Sequence, residues 1–153
     1  MKKQQYAQIG TVSHGTMREE DLIPEFTDTL EYYAKQNNRK DHLAIVEEIR
    51  GRMDNDDYYQ SDDASWDLNE TLFDALNEYA MPYFYFGSHL GDGSDYGYWL
   101  SEGFEEEFDG LKVSDLNDVP KGYTGELLEV NDHGNMTLYK VVRGRKYEVW
   151  AIV

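Results

Sequence analysis

Residues 71–100 read TLFDALNEYAMPYFYFGSHLGDGSDYGYWL, and the periodicity of the apolar side chains changes within them. Before Pro82 the apolar positions recur at spacings of four and three, which is typical of one face of an α-helix. After Pro82, aromatic residues crowd into two runs, 83–86 and 95–100, separated by a glycine-rich connection. Such runs predict a β-hairpin. The chain therefore changes from helices to strands at this point.

Three helical patterns precede Pro82. The first begins near Thr16–Glu19, which have the form of a capping box. Between the second and third, residues 54–63 (DNDDYYQSDD) hold five aspartates and no basic residue, which predicts a solvated loop. Trp66 is expected beside the buried stripe of the third helix. The apolar positions of the three stripes are Leu22, Phe26, Leu30 and Tyr33; Leu43, Val46, Ile49 and Met53; and Leu68, Leu72, Leu76 and Tyr79.

The end of the chain has the clearest strand pattern. Glu126–Val130, Met136–Val142 and Tyr147–Val153 are apolar, β-branched segments joined by polar turns, which predicts an antiparallel meander. Helices first and strands last favour an α+β fold. We expect one domain over residues 1–153: three N-terminal helices packed on a mostly antiparallel sheet made from the aromatic hairpin and the meander. Residues 1–12 are expected to be mobile or an edge strand.

The charge of the chain is strongly negative. It has 31 acidic and 14 basic residues in 153, and 27 of the acidic residues lie between Thr16 and Pro120 with only 7 basic ones. The 22 aromatic side chains nevertheless favour a folded core over disorder. This charge repels nucleic acid and anionic membranes, so the expected partner is a positively charged protein surface.

The absence of cysteine excludes disulfides and cysteine-ligated zinc. The chain also lacks an apolar run of about 18 residues and the apolar segment of a secretory signal. The expected location is therefore the cytoplasm.

Few residues form a catalytic or metal-binding pattern. The four histidines lie in different segments, and neither HExxH nor GxSxG occurs. An EF-hand loop starting at Asp54 fails, because its fifth and sixth positions are Tyr58 and Tyr59. One alternative stays open, a metal-dependent hydrolase that uses His89 with Asp92 or Asp95. We otherwise expect no enzyme, metal or cofactor.

The candidate partner-binding residues are carboxylates in rows, together with two aromatic residues of the hairpin. Each row taken singly is typical of a solvated face, but several rows in one chain indicate a continuous negative surface. The set comprises Glu19, Glu20, Asp28 and Glu31; Asp54, Asp56, Asp57, Asp62 and Asp63; Asp67, Glu70, Asp74 and Glu78; Glu105 and Glu106; and Tyr96 and Trp99.

Three stretches resemble an uncharacterised family of small proteins encoded by bacteriophages and prophages: GTVSHGTMREEDLIPEF at 10–26, YFGSHLGDGSDYGYW at 85–99 and VNDHGNMTLY at 130–139. The resemblance spans most of the chain and carries over no functional residue. It implies a mobile element inside a bacterial cell. By analogy, small acidic phage proteins often act against restriction enzymes and CRISPR effectors.

The leading hypothesis is therefore a DNA mimic that occupies the nucleic-acid-binding surface of a host protein, as an anti-restriction or anti-CRISPR inhibitor does. DNA-binding proteins owe much of their affinity to Lys and Arg contacts with phosphates, and rows of carboxylates offer the same targets. The alternative from another class is an accessory protein whose acidic surface serves solubility or salt adaptation. The basic turn at Arg143, Arg145 and Lys146 leaves a homo-oligomer open, through pairing with the acidic body, although an isolated turn of this kind is more often solvated.

Overall fold

The computed structural model describes residues 4–153, which fall into two compact units, one ending at Ser101 and the other spanning Glu102–Val153. The predicted α+β class is confirmed. The expected single sheet is wrong, because the described strands form two sheets, with the hairpin in one and the meander in the other. The expectation of one domain stays a prediction.

The first unit contains the three predicted helical regions. The third region is interrupted, since its middle is a π-helix rather than an α-helix. Their bounds are α1 Glu19–Gln36, α2 Lys40–Met53, a 3-10 turn Tyr58–Gln60, α3 Asp62–Trp66, the π-helical segment Asp67–Leu72 and α4 Phe73–Asn77.

The sheet of the first unit is antiparallel and has the order β1-β3-β2, with β1 Gly10–Ser13, β2 Phe84–His89 and β3 Asp92–Leu100. The predicted hairpin is thus confirmed. The expected edge strand in residues 1–12 corresponds to β1, whereas residues 1–3 lie outside the described residues. β1 approaches β3 so closely that a Cβ on Gly97 would lie 2.1 Å from the carbonyl oxygen of Gly10.

Aromatic rings join the hairpin to the helices in the core of the first unit. The ring of Phe26 on α1 lies 5.1 Å from that of Phe86 and 5.6 Å from that of Tyr96. The hydroxyl of Tyr98 donates a hydrogen bond of 2.7 Å to the carbonyl of Leu76. Tyr96 is only 8% exposed, so its predicted contact with a partner is wrong. Alternation along β3 directs Tyr96 and Tyr98 towards the helices.

The second unit contains a mixed sheet. The predicted meander is confirmed as its three antiparallel strands, and the short strand β4 adds to it in parallel with β5. Among the helices of residues 4–153, none combines the length and the apolar character needed to cross a membrane. The elements are α5 Phe104–Glu107, β4 Leu111–Val113, a 3-10 turn Leu116–Asp118, β5 Gly125–Val130, β6 Met136–Val142 and β7 Arg145–Ile152.

Candidate partner-binding surface

The acidic loop, residues 54–63, runs from the end of α2 into the first turn of α3 and presents its aspartates to solvent. Asp54, Asp56, Asp57, Asp62 and Asp63 are all exposed, as the sequence predicts. The loop is not unstructured, because Tyr58 in its 3-10 turn is buried in the core. Ser61 then caps α3, its hydroxyl oxygen accepting from the amide of Ala64 at 3.4 Å. The carboxylates are therefore held on an ordered segment of backbone.

A buried carboxylate anchors the acidic loop. Asp67 is 4% exposed, and its two oxygens accept from the Arg52 guanidinium at 2.9 and 3.1 Å. The hydroxyl of Tyr58 donates to the same carboxylate at 2.8 Å. Burial, together with this carboxylate, raises the pKa of Tyr58. The contacts tie α2, the loop and the third helical region together.

The prediction that Asp67 contacts a partner is wrong, since its side chain is buried and already engaged. The sequence shows Asp67 on a regular stripe with Glu70, Asp74 and Glu78, which would share a solvated face of an α-helix. The π-helical geometry of Asp67–Leu72 widens the turn and changes which side chains share a face. Glu70, Asp74 and Glu78 remain exposed, while Asp67 lies inside.

Trp66, which the sequence places beside the buried stripe of the third helix, lies at the end of α3 and is 64% exposed. It lines a groove of about 300 Å³ together with Asp62, Ser65, Asn69 and Glu70. A signal for this exposure was present in the sequence: positions three and four residues before and after Trp66 are all polar. Sequence reasoning missed Trp66 as a candidate functional residue.

The acidic loop also borders a second groove, of about 430 Å³. Asp57, Asp63 and Glu48 contribute carboxylates to its lining, and Arg52 contributes the cation that holds Asp67. Carboxylates of the loop thus line two grooves, one of which is also lined by the exposed Trp66.

Ion pairs neutralise several of the other predicted carboxylates. Arg50 on α2 donates to Glu31 at 2.7 Å and to Asp28 at 2.8 Å. The hydrogen bond from Arg50 also lowers the pKa of Glu31. Arg18 pairs with Glu20, and Glu78 is contacted by Arg39 at 3.1 Å. These rows on α1 and α4 carry less net charge than the sequence suggests.

The acidic loop differs from those rows in its pairing. Within residues 4–153, no ion pair engages its five aspartates, nor Glu19, Glu70 or Asp74. Unpaired carboxylates therefore remain where the loop meets α3 and the π-helical segment, and also on α5 of the second unit, where no ion pair within residues 4–153 engages Glu105 or Glu106.

The remaining predicted residues lie elsewhere. Glu105 and Glu106 are exposed on α5 of the second unit. Trp99 lies on the face of β3 opposite Tyr98, is half-buried, and donates from its indole nitrogen to the carbonyl of Gly87 at 3.0 Å. Neither set belongs to the acidic loop.

The hydrolase alternative finds its three side chains in separate contacts. Asp92 accepts from Ser94 and contacts the Nε2 atom of His14 at 2.9 Å, and these hydrogen bonds lower its pKa. His89 accepts from the amide of Gly91, and Asp95 accepts from Thr11. Within residues 4–153, no cluster of three or more His, Asp or Glu side chains is arranged to hold a metal ion.

Ser94, Asp92 and His14 are linked by hydrogen bonds but do not form a nucleophilic triad. Asp92 bridges Ser94 and His14, whereas a triad requires the histidine to lie between the serine and the acid. A second histidine, His42, is buried and hydrogen-bonded to the Tyr79 hydroxyl at 2.6 Å. Tyr79 is fully buried, which raises its pKa to about 12 and keeps this pair away from any substrate.

Comparison with known proteins returned no match: no family model, no curated protein and no solved structure is similar to the chain at a significant level.

Proposed function

We propose that the first unit binds a positively charged, nucleic-acid-binding surface of a host protein and competes there with nucleic acid. The observation that carries this proposal is the acidic loop, whose five aspartates are exposed and free of ion pairs within residues 4–153. Their scaffold is fixed by the buried Asp67 carboxylate and its bonds to Arg52 and Tyr58.

A fixed scaffold matters because a DNA duplex is itself a rigid row of charges, one per roughly 1.7 Å of its axis. Proteins that bind it present Lys and Arg at matching positions. Ordered carboxylates meet those cations without the entropy cost of ordering a flexible tail. The loop combines high local charge with this order, which a merely solubilising surface does not need.

The exposed Trp66 adds an apolar anchor to this surface. Tryptophan is enriched at the centres of protein interfaces, and its face attracts the guanidinium of arginine. A surface that binds phosphates is rich in arginine. Trp66 beside Asp62 and Glu70 is thus suited to an arginine that would otherwise contact DNA.

In this proposal the chain acts in the cytoplasm of a bacterial host cell, as an inhibitor of the anti-restriction or anti-CRISPR kind. The test is cleavage of plasmid DNA by an RNA-guided nuclease and by purified restriction–modification complexes, with and without the chain. We expect inhibition of at least one such enzyme. Trp66→Ala should weaken that inhibition about tenfold.

Leu90→Ala is the matched control, because Leu90 is equally exposed but lies at the hairpin turn. It should leave inhibition unchanged. Full cleavage by every enzyme of the panel, even with the chain in large molar excess, would contradict the proposal. If Trp66→Ala and Leu90→Ala lose inhibition equally, Trp66 has no specific role in binding the enzyme.

A further inference from the structure

Where the N-terminal segment meets the end of α1, there is a groove whose lining within residues 4–153 holds no charged side chain. Its volume is about 420 Å³, within the range of small-molecule binding sites. Glutamine and tyrosine make up its lining, namely Gln5, Tyr6, Gln8, Tyr32, Tyr33 and Gln36. The chain has a net charge of −17, so a lining without charge among the described residues indicates a ligand different from the partner of the acidic loop.

The walls of this groove are fixed by hydrogen bonds. Asn37, at the end of α1, accepts from the amide of Gln5 at 2.7 Å and donates to its carbonyl at 3.0 Å. The amide of Ala7 donates to the carbonyl of Tyr79 at 2.8 Å, and the amide of Gln8 donates to the Tyr33 hydroxyl. The N-terminal segment is therefore attached both to α1 with its C-cap and to the residues that follow α4.

Two kinds of group face the groove. Tyr32 is 58% exposed and Tyr6 is also exposed, so aromatic surface is open to a ligand. The rings of Tyr32 and Tyr33 meet edge to face at 5.2 Å, which supports Tyr32 from one side. Within residues 4–153, no hydrogen bond occupies the side-chain amides of the three glutamines, Gln5, Gln8 and Gln36.

We propose that this groove binds a neutral saccharide. A sugar ring has an apolar face of C–H groups that stacks on tyrosine, and hydroxyls around its edge that both donate and accept. Each glutamine amide offers an acceptor oxygen and a donor NH₂, and each tyrosine hydroxyl does both, which matches those hydroxyls. Among residues 4–153, the lining offers no charged group to pair with a charged sugar, which favours a neutral one.

A proline-rich peptide is the competing ligand, since such segments also dock on aromatic grooves. Proline has no N–H, so a proline-rich segment offers mainly carbonyl acceptors. The glutamine oxygens would then find no donor in the ligand. The balance of donors and acceptors favours the saccharide.

The test is titration of the ¹⁵N-labelled full chain with maltotriose, cellotriose and triacetylchitotriose, and separately with a proline-rich decapeptide, followed by amide chemical shifts. We expect one trisaccharide to shift the amides around Gln5, Gln8 and Gln36 in a saturable manner. Tyr32→Ala should weaken that binding about tenfold, whereas Tyr147→Ala, an exposed tyrosine of the second unit, should not.

Three results would overturn the inference: no shift with any of the trisaccharides, shifts with the decapeptide alone, or saccharide shifts that persist unchanged in Tyr32→Ala. The spectrum of each variant reports its folding directly, so a misfolded variant is recognised and Gln36→Ala then replaces it. None of these outcomes depends on the acidic loop, because none of its residues lines this groove.

Discussion

Asp67 is the residue on which the order of the acidic loop most depends, since its carboxylate receives three hydrogen bonds from two different segments. We expect Asp67→Asn to lower the free energy of unfolding by about 2–3 kcal/mol, because Arg52 loses its charged partner. Arg52 is partly exposed and can be rehydrated, which keeps the loss near the lower end for buried pairs. Urea denaturation followed by circular dichroism measures it.

Asp63→Asn is the matched control, because this aspartate is exposed and forms no ion pair within residues 4–153. Its free energy of unfolding should stay within about 0.5 kcal/mol of the parent chain. If the two variants unfold at the same urea concentration, Asp67 is not the anchor of the loop.

The sequence reveals the type of residue 67 but not its surroundings. An aspartate on a regular acidic stripe is usually solvated, and the π-helical turn that directs Asp67 inward leaves no mark in the apolar spacing. For Trp66, by contrast, the sequence does contain the information, since the residues three and four positions away on both sides are polar and indicate exposure. Contacts such as that of Arg52 with Asp67 depend on packing between segments, which a single sequence does not display.

At the scale of elements, the pairing of β1 with β3 depends on a glycine. A Cβ at position 97 would lie 2.1 Å from the Gly10 carbonyl oxygen, well inside van der Waals contact with backbone. Gly97→Ala should therefore separate these strands and lower the free energy of unfolding by about 2 kcal/mol or more. Hydrogen exchange of the amides of residues 10–13 and thermal melting measure the two effects.

Gly93→Ala provides the comparison, because a Cβ there meets no atom within 4 Å. It should leave both the exchange of β1 and the melting temperature close to those of the parent. Fast exchange in β1 of the Gly93 variant, or protection retained in the Gly97 variant, would show that close approach is not what fixes this edge.

Helices and strands were predictable where periodicity is strong, and their ends were not. The three apolar stripes, the hairpin and the meander follow from spacings that packing then satisfies. The capping box near Thr16 does not form, because α1 begins at Glu19 and the Thr16 hydroxyl donates instead to Asp21. Division of the strands between two sheets was also missed, since long-range pairing leaves no local pattern.

At the scale of the whole molecule, buried tyrosines set the response to alkaline pH. Burial raises the pKa of Tyr58 and Tyr98, and that of Tyr79 to about 12, all above the usual value of 10.0. The unfolded chain therefore loses these protons at lower pH than the folded one. We therefore expect the stabilisation that these tyrosines contribute to be full below pH 10 and to fall as pH rises from there through 12.

Tyr98→Phe tests this directly, although it also removes the hydrogen bond to Leu76. Its stability at neutral pH should decrease, but the decline above pH 10 should be shallower than in the parent chain. Urea midpoints measured from pH 7 to 11 give both values. A decline of unchanged slope would mean that other groups control the alkaline transition.

The overall charge was predictable in amount but not in distribution. The sequence indicates several acidic rows, yet Arg50 and Arg39 neutralise parts of them through contacts between segments. Within residues 4–153, the acidic loop keeps its five carboxylates unpaired, and so do the exposed acids of α5 in the second unit. The surface proposed for a partner is thus smaller and more local than the sequence suggested.

Binding to an immobilised nuclease complex, measured between about 50 and 200 mM salt, is the most direct test of this surface. Two variants with equal charge are compared: one has asparagine at all five loop aspartates, and the other replaces five exposed acids of the second unit, Glu102, Asp109, Asp118, Asp132 and Glu148, with amides. We expect the parent and the second variant to bind with an affinity that falls steeply as salt concentration rises. The loop variant should bind more weakly, and its affinity should depend much less on salt concentration. An affinity that is flat across this range, or an equal loss in both variants, would contradict binding through the acidic loop.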